Sequence, residues 1–230
     1  MTIPALTVVI PALDAAESLP ATLAALAEGR TTGVLGEVLV VDGGSRDGTA
    51  GLARAAGAEL LAAPRGRGAQ LRAGGEAARG DWLLFLHADS RPDAGWLPAV
   101  AAFMAEPANA ERAAAFRLRF DDDAPAARRV AALANRRSRW LGLPYGDQGL
   151  LIGRVFYRRL GGYRPLPLME DVELVRRIGR RRLTLLDCEI VTSAARYRRD
   201  GWWRRPLRNL SLLSAYLLGV PPRLLVRLYR

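Results

Sequence analysis

The apolar positions change period along the chain, and the changes mark out its elements. Residues 7–10 are apolar and mostly β-branched, a strand that Pro11 closes. Ser18 then stands where a helix N-cap belongs. Leu19, Leu23 and Leu26 share one helical face over residues 18–28. Residues 37–41 are a second apolar run. They empty into the turn cluster Asp42-Gly43-Gly44-Ser45-Arg46-Asp47-Gly48-Thr49, which a helix follows to about residue 56. Residues 59–62 read as a third strand. Arg65-Gly66-Arg67-Gly68 opens a helix to about residue 78, and residues 82–86 are a fourth strand. This βαβα spacing predicts an α/β fold: a mostly parallel, Rossmann-like sheet with helices on both faces and right-handed crossovers.

The rhythm changes after Asp89. Residues 95–104 read as a helix and 114–120 as a strand, ended by Asp121-Asp122-Asp123 as a loop or helix cap. Residues 125–141 are an Arg-rich helix, 149–152 a short strand, and 155–160 a short helix stopped by Gly161-Gly162. Residues 169–181 carry Val172, Val175 and Ile178 on one helical face, and 183–186 and 189–192 are extended. The final segment has another character. Trp202-Trp203-Arg204-Arg205 leads to an apolar run over 207–220, then Pro221-Pro222 and a Leu/Arg stretch. The expected division is one domain over 1–200 and an amphipathic helical appendage over 201–230.

Composition narrows the classes. Half of the 230 residues are hydrophobic, enough for a sizeable core and against global disorder. Cys188 is the only cysteine, which excludes an intrachain disulfide framework and suits a reducing compartment. The formal charge is +11, carried entirely by Arg, and attracts polyanions such as nucleotide diphosphates, nucleic acid or anionic lipid. Residues 3–10 are too short for a signal-peptide core, and no stretch approaches the ~20 apolar residues of a membrane span. The expected location is the cytoplasm. The Trp and Arg of the tail suit the inner face of a membrane, and the same pattern suits packing onto the sheet or a partner subunit.

Chemistry gathers where predicted elements end. The fourth strand delivers His87-Ala88-Asp89, and ligands in open α/β sheets sit at the carboxyl ends of strands. A carboxylate there can hold Mg²⁺ or Mn²⁺ against a diphosphate. Asp42 ends the second strand and can accept hydrogen bonds from a base or ribose; Asp47 suits a cap of the next helix. Glu170-Asp171 opens a helix, where an acid is favoured by the dipole and is also placed to act as a base. Arg65, Arg67 and Arg72 flank a Gly-rich helix start that can meet phosphate. No Walker A loop and no G-x-G-x-x-G after the first strand are present. With His87 the only histidine and no G-x-S-x-G elbow, a Ser–His–acid hydrolase is disfavoured.

Four segments together resemble the family 2 glycosyltransferases, whose fold is called GT-A. They are Val8-Val9-Ile10-Pro11-Ala12-Leu13-Asp14, Val40-Val41-Asp42 with its turn, Phe85-Leu86-His87-Ala88-Asp89, and Met169-Glu170-Asp171-Val172-Glu173-Leu174. The resemblance covers about residues 3–195. The combination of Gly66-Arg67-Gly68-Ala69-Gln70, His87-Ala88-Asp89 and Tyr145-Gly146-Asp147-Gln148-Gly149 is similar to a short bacterial subgroup, some of whose members are labelled as glycosyltransferases of arsenosugar biosynthesis. The resemblance implies an inverting, hexosyltransferase-type transfer from a nucleoside-diphosphate sugar to a hydroxyl acceptor, assisted by a divalent cation. It implies that Asp42 reads the base, Asp89 holds metal and diphosphate, and Asp171 is the catalytic base. Pro11, Asp14, Arg67, Arg72 and His87 then fall on the donor side, and Asp147, Gln148 and Glu170 on the acceptor side. The chain departs from the family in three places. His87 replaces the first carboxylate of Asp-x-Asp, Asp14-Ala15 replaces Asn-Glu, and the processive Gln-x-x-Arg-Trp is absent.

Two other functions compete. A sugar nucleotidyltransferase expects a Gly-rich basic signature in the first loop, where this chain has Pro11-Ala12-Leu13-Asp14. A non-catalytic Arg-rich protein that binds membrane or polyanion needs a basic stripe with exposed aromatics, which only the tail approaches. No nucleic-acid partner is expected.

Overall fold

The computed structural model describes residues 6–229. In chain order the elements are β1 (Leu6–Ala12), α1 (Leu19–Ala25), α2 (Ala27–Thr31), β2 (Leu35–Asp42), α3 (Thr49–Ala55), β3 (Glu59–Ala62), α4 (Arg67–Ala77), β4 (Trp82–Phe85) and β5 (Ser90–Pro92). There follow α5 (Trp96–Ala105), β6 (Ala113–Phe120), α6 (Pro125–Leu141), β7 (Leu150–Gly153), α7 (Arg154–Arg159), α8 (Glu170–Ile178), β8 (Leu183–Thr192), α9 (Ala195–Asp200), α10 (Arg204–Leu217) and α11 (Pro222–Tyr229).

The strands form one sheet in the order β3-β2-β1-β4-β7-β6-β8-β5. Strands β3, β2, β1 and β4 are mutually parallel. β7 is antiparallel to both β4 and β6, β6 is parallel to β8, and β5 is antiparallel to β8. It follows that β1, β2, β3, β4, β6 and β8 all run the same way. Their carboxyl ends share one edge, and that edge is where the chemistry collects.

Period-2 alternation splits the core. Val8, Ile10, Val40, Leu84 and Leu86 face a cluster with Leu19 and Leu23 of α1, Trp96 and Val100 of α5, and Val130 of α6. Val9, Leu39, Val41, Leu83 and Phe85 face the other way, onto Leu71 of α4, Phe156 and Tyr157 of α7, and Leu174 and Val175 of α8. Both faces are thus covered, which is why these strands read as near-continuous apolar runs. Helix α4 lies close against its face: a Cβ on Gly74 would collide with Val9 Cγ1. A third cluster joins Met169 and Val172 to Leu212, Leu213 and Leu225, so the tail packs back on the start of α8.

Two sequence expectations are corrected here. Pro11 does not end β1, which runs on to Ala12 opposite Asp42. Val9 O accepts from Leu86 N, so by alternation the missing N–H of Pro11 points to the β4 side, past the end of β4 at Phe85. A proline costs no ladder bond there. Residues 183–186 and 189–192 are one strand with an irregularity opposite β6, not two. The short β5 and α9 carry no apolar periodicity and were not expected from sequence.

Candidate active site

Two adjoining hollows open at the carboxyl edge. One is lined by Pro11, Leu13, Asp14, Arg65, Arg67, Gln70, His87, Asp89 and Arg196. The other is lined by Arg67, His87, Asp89, Tyr145, Gly146, Asp147, Met169, Asp171, Arg196, Tyr197, Arg205, Asn209 and Leu212. Arg67, His87, Asp89 and Arg196 belong to both and mark the join.

The loop after β1 is built against the turn after β2. Asp14 has a left-handed backbone, φ 47°, which Asp tolerates better than most residues. Its Oδ1 accepts from Arg46 N at 2.8 Å, and its own N–H donates to Ser45 Oγ at 2.9 Å. Asp42 accepts from Ser45 N at 3.0 Å and Ser45 Oγ at 2.5 Å. Asp42 therefore closes its own turn and is outside the lining of either hollow. Asp47 is not the helix cap, since Gly48 stands at the N-cap of α3; from one residue earlier Asp47 accepts from Thr49 N at 2.9 Å, and its Oδ2 ties down Ala16 N. Gln70 is buried on α4 and bridges two strand ends, donating from Nε2 to Ala12 O and Val41 O at 2.7 Å each.

His87 and Asp89 follow β4 in a turn closed by Ser90 N donating to His87 O. His87 Nδ1 lies 3.9 Å from Asp89 Oδ1. Burial holds the imidazole well below its usual pKa, and the Arg67 and Arg196 guanidinium groups lower it further. His87 is thus neutral near pH 7, with a lone pair to offer.

The opposite wall comes from α8 and the loop before β7. Met169 is left-handed, φ 64°, and this turn brings Glu170 and Asp171 to the helix start. Asp171 Oδ2 accepts from Gly146 N at 2.8 Å and Oδ1 from Val172 N at 2.7 Å. Two backbone donors thus fix the carboxylate plane and leave a lone pair free on each oxygen. Gly146 fits tightly between the walls: a Cβ there would lie 2.6 Å from His87 Nε2 and 3.5 Å from Asp171 Oδ2. Glu170 is buried and forms an ion pair with Arg67, holding that guanidinium at the join. Burial raises the Glu170 pKa, the Arg67 charge opposes the rise, and Asp171 adds to it.

Asp147 lines the second hollow with one carboxylate oxygen, Oδ1, buried and without a hydrogen-bond partner. Burial pushes its carboxyl up to about 6, against the pull of Arg137 and with the push of Asp171 and Asp89. A raised acid favours the folded state only while neutral. The ionic penalty grows between pH 4 and 6 and is complete above that range. Asp147→Asn is expected to stabilise the chain at pH 8 by about 1–2 kcal/mol, allowing for water that reaches the cavity, and to change little below pH 4. Thermal melts at the two pH values check this; equal melting shifts at both would refute it.

Gln148 and Arg72, like Asp42, are outside the lining of both hollows. Gln148 is fully buried and donates to Phe116 O at 3.0 Å while accepting from Ser138 Oγ at 2.6 Å. Arg72 pairs with Glu76 at 2.8 Å on the exposed side of α4. Sequence reasoning passed over Arg196, Tyr145, Tyr197 and Asn209. Arg196 lies in α9, just past the end of β8, in a segment too short and too polar to show a helical period. Tyr145 is held by Arg137, whose guanidinium carbon lies 3.5 Å from the ring centre.

Among the described residues no three His, Cys, Asp or Glu side chains cluster as a metal-binding set. A Mg²⁺ or Mn²⁺ held mainly by phosphate needs only one or two protein ligands. Asp89, beside neutral His87 at the join of the hollows, fits that lesser requirement.

Comparison with known proteins decides the family. The model of glycosyl transferase family 2 matches residues 7–159. The chain belongs to that family. Uncharacterized glycosyltransferases of Mycobacterium bovis and Mycobacterium tuberculosis are 42% identical over 99 residues, which is 43% of this chain and 43% of theirs. The chain thus aligns with less than half the length of these relatives. Among solved structures, glucosyl-3-phosphoglycerate synthase from M. tuberculosis, with Mn²⁺, uridine diphosphate and glucosyl-3-phosphoglycerate, superposes with a TM-score of 0.59 at 18% identity. The match covers 83% of this chain and 70% of the synthase. TarS from S. aureus gives a TM-score of 0.63 at 16% identity, over 82% and 60%. At these identities the likeness establishes the fold, which is GT-A with the mixed, mostly parallel sheet described above.

Proposed function

We propose that this family member is an inverting, non-processive, hexosyltransferase-type enzyme that moves a sugar from a nucleoside-diphosphate donor to a hydroxyl acceptor. The observation that carries the reading is one cavity lined by Asp89, His87 and Arg67 on one wall and by Asp171 and Asp147 on the other. The first hollow is the donor side, with Pro11, Asp14 and Arg67 around the nucleotide diphosphate. Arg67 presents its charge there while Glu170 fixes its direction. Asp42 would take part in reading the base by exchanging its bond to Ser45 for one to the ligand. Asp89, with His87 beside it, would hold a Mg²⁺ or Mn²⁺, which when bound offsets charge on the departing diphosphate. The second hollow takes the acceptor. Asp171 accepts the proton of the acceptor hydroxyl as that oxygen attacks the anomeric carbon from the face opposite the leaving group. One displacement of this kind inverts configuration once. Asp147, half-neutral near pH 6, lines this hollow and would exchange a hydrogen bond with an acceptor hydroxyl. The proposal places the protein in the cytoplasm. Among the described residues no helix is long and apolar enough to cross a membrane.

A panel of nucleotide sugars tests the reading, with uridine diphosphate donors first because the structural neighbour binds that nucleotide. Slow, cation-stimulated donor hydrolysis is expected even without acceptor, and the first-formed sugar should have inverted anomeric configuration by NMR. A retained configuration would overturn the single-displacement mechanism. Silence with every donor, with and without metal, would overturn the transferase reading itself.

A further inference from the structure

Helix α10 has two apolar stripes. Leu212 and Leu213 face inward onto Met169 and Val172 of the α8 start. Turned away from Leu212, Trp203 at the N-cap and Leu207, Leu210 and Leu217 follow at steps of four, three and seven residues along one side of the helix, and all are exposed. Leu218 extends the stripe at 86% exposure, and Leu207 is 63% exposed. Helix α11 repeats the arrangement: Leu225 is buried in the same cluster, while Leu224 and Leu228 are exposed beside Arg223 and Arg227. Exposed apolar side chains gathered on two helices in contact mark a binding face. Its charge says what it binds. Residues 201–230 hold six Arg and no Asp or Glu. Arg204, Arg223 and Arg227 stand exposed around the leucines.

We propose that the α10–α11 hairpin is a monotopic docking surface for an anionic lipid bilayer, with the leucines and Trp203 entering the headgroup boundary and the arginines meeting lipid phosphate. This surface combines the two terms that interfacial helices need, buried apolar area and attraction to anionic lipid. A second copy of the chain fits less well, because it would bring two all-positive surfaces together. The docking also orients the cavity. Arg205, Asn209 and Leu212 line it from the inward face of α10, so the cavity lies one helix thickness, ~10–12 Å, from the lipid headgroups. The inference is independent of the transferase reading, since it rests on the outer face of the tail alone.

Cosedimentation of the full chain with vesicles tests it. Binding is expected to vesicles of equal parts phosphatidylglycerol and phosphatidylcholine, with little to phosphatidylcholine alone. Leu207→Glu with Leu210→Glu should cut binding by about tenfold or more. Both positions point to solvent, so the circular dichroism and the vesicle-free donor hydrolysis of this variant should match the parent. Arg223→Gln with Arg227→Gln should weaken binding and reduce its salt dependence. No binding to the anionic vesicles would overturn the proposal. Leucine variants that bind like the parent would overturn it too, since net charge alone would then explain the attraction. So would a dimer, seen by sedimentation velocity, that the leucine substitutions dissociate. Loss of donor hydrolysis in the parent would bear on the transferase reading and leave the vesicle result standing.

Discussion

Asp171→Asn is expected to abolish transfer while leaving donor binding nearly intact. A positioned general base contributes about 10²–10⁴-fold, and kcat should fall by that amount. The amide cannot take a proton from the acceptor, yet it has almost the same shape. Its structural cost is readable from the two backbone donors on the carboxylate, Gly146 N and Val172 N. An amide has one acceptor oxygen, so one of these bonds is lost, at about 1 kcal/mol. That loss would lower the melting temperature slightly and could loosen the Gly146 loop. Donor binding and turnover measured together separate the two effects. A lost base lowers kcat at an unchanged donor Kd, whereas a disturbed Gly146 loop weakens donor binding as well. A variant that keeps near-normal kcat would leave the base elsewhere. Asp147 would then be the next candidate, since it lines the same cavity.

The legible part of this molecule is the part governed by period and strand ends. The first four strands and the helix over residues 125–141 follow from apolar spacing, because strands covered on both faces leave no polar gaps. His87, Asp89 and Asp171 could be found because a chemical group directly follows a strand or opens a helix. The illegible part depends on where a polar side chain turns. Gln148 and Asp147 are neighbours in one Gly-flanked turn; one faces the core and the other the cavity. Nothing in residue type separates them. Asp42 has the right address at the end of β2, yet the adjacent Ser45 satisfies it internally. Arg196 and the rest of α9 are hidden for another reason. Ala195–Asp200 is too short and too polar to show a helical period, and the chain is Arg-rich throughout. The tail shows a similar limit. Its leucine pattern predicts helices, but only the packing of Leu212, Leu213 and Leu225 tells which stripe faces inward and which is left over.

Asp89→Ala is the second large effect, and its sign changes with the metal. The Asp89 carboxylate stands 3.9 Å from a neutral His87, with the charges of Arg67 and Arg196 lining the same join. Without a cation, a carboxylate in this position repels a diphosphate. Its removal should leave metal-free nucleotide binding unchanged or slightly tighter, because the arginines remain. With Mn²⁺ or Mg²⁺ present, the same carboxylate would, in the proposed donor site, anchor the cation. A cation is worth several kcal/mol of charge stabilisation at a phosphoryl leaving group, so metal-stimulated kcat/KM should fall by about 10²-fold or more. The backbone would be little disturbed: the structural bond here uses Asp89 O, which accepts from Ser193 N at 3.2 Å and survives the substitution. Calorimetric titrations of uridine diphosphate, with and without Mn²⁺, read both signs in one experiment. A merely structural Asp89 would weaken the two titrations together. Equal Mn²⁺ enhancement in parent and variant would move the cation to other residues, and the donor side of the cavity would have to be reassigned with it.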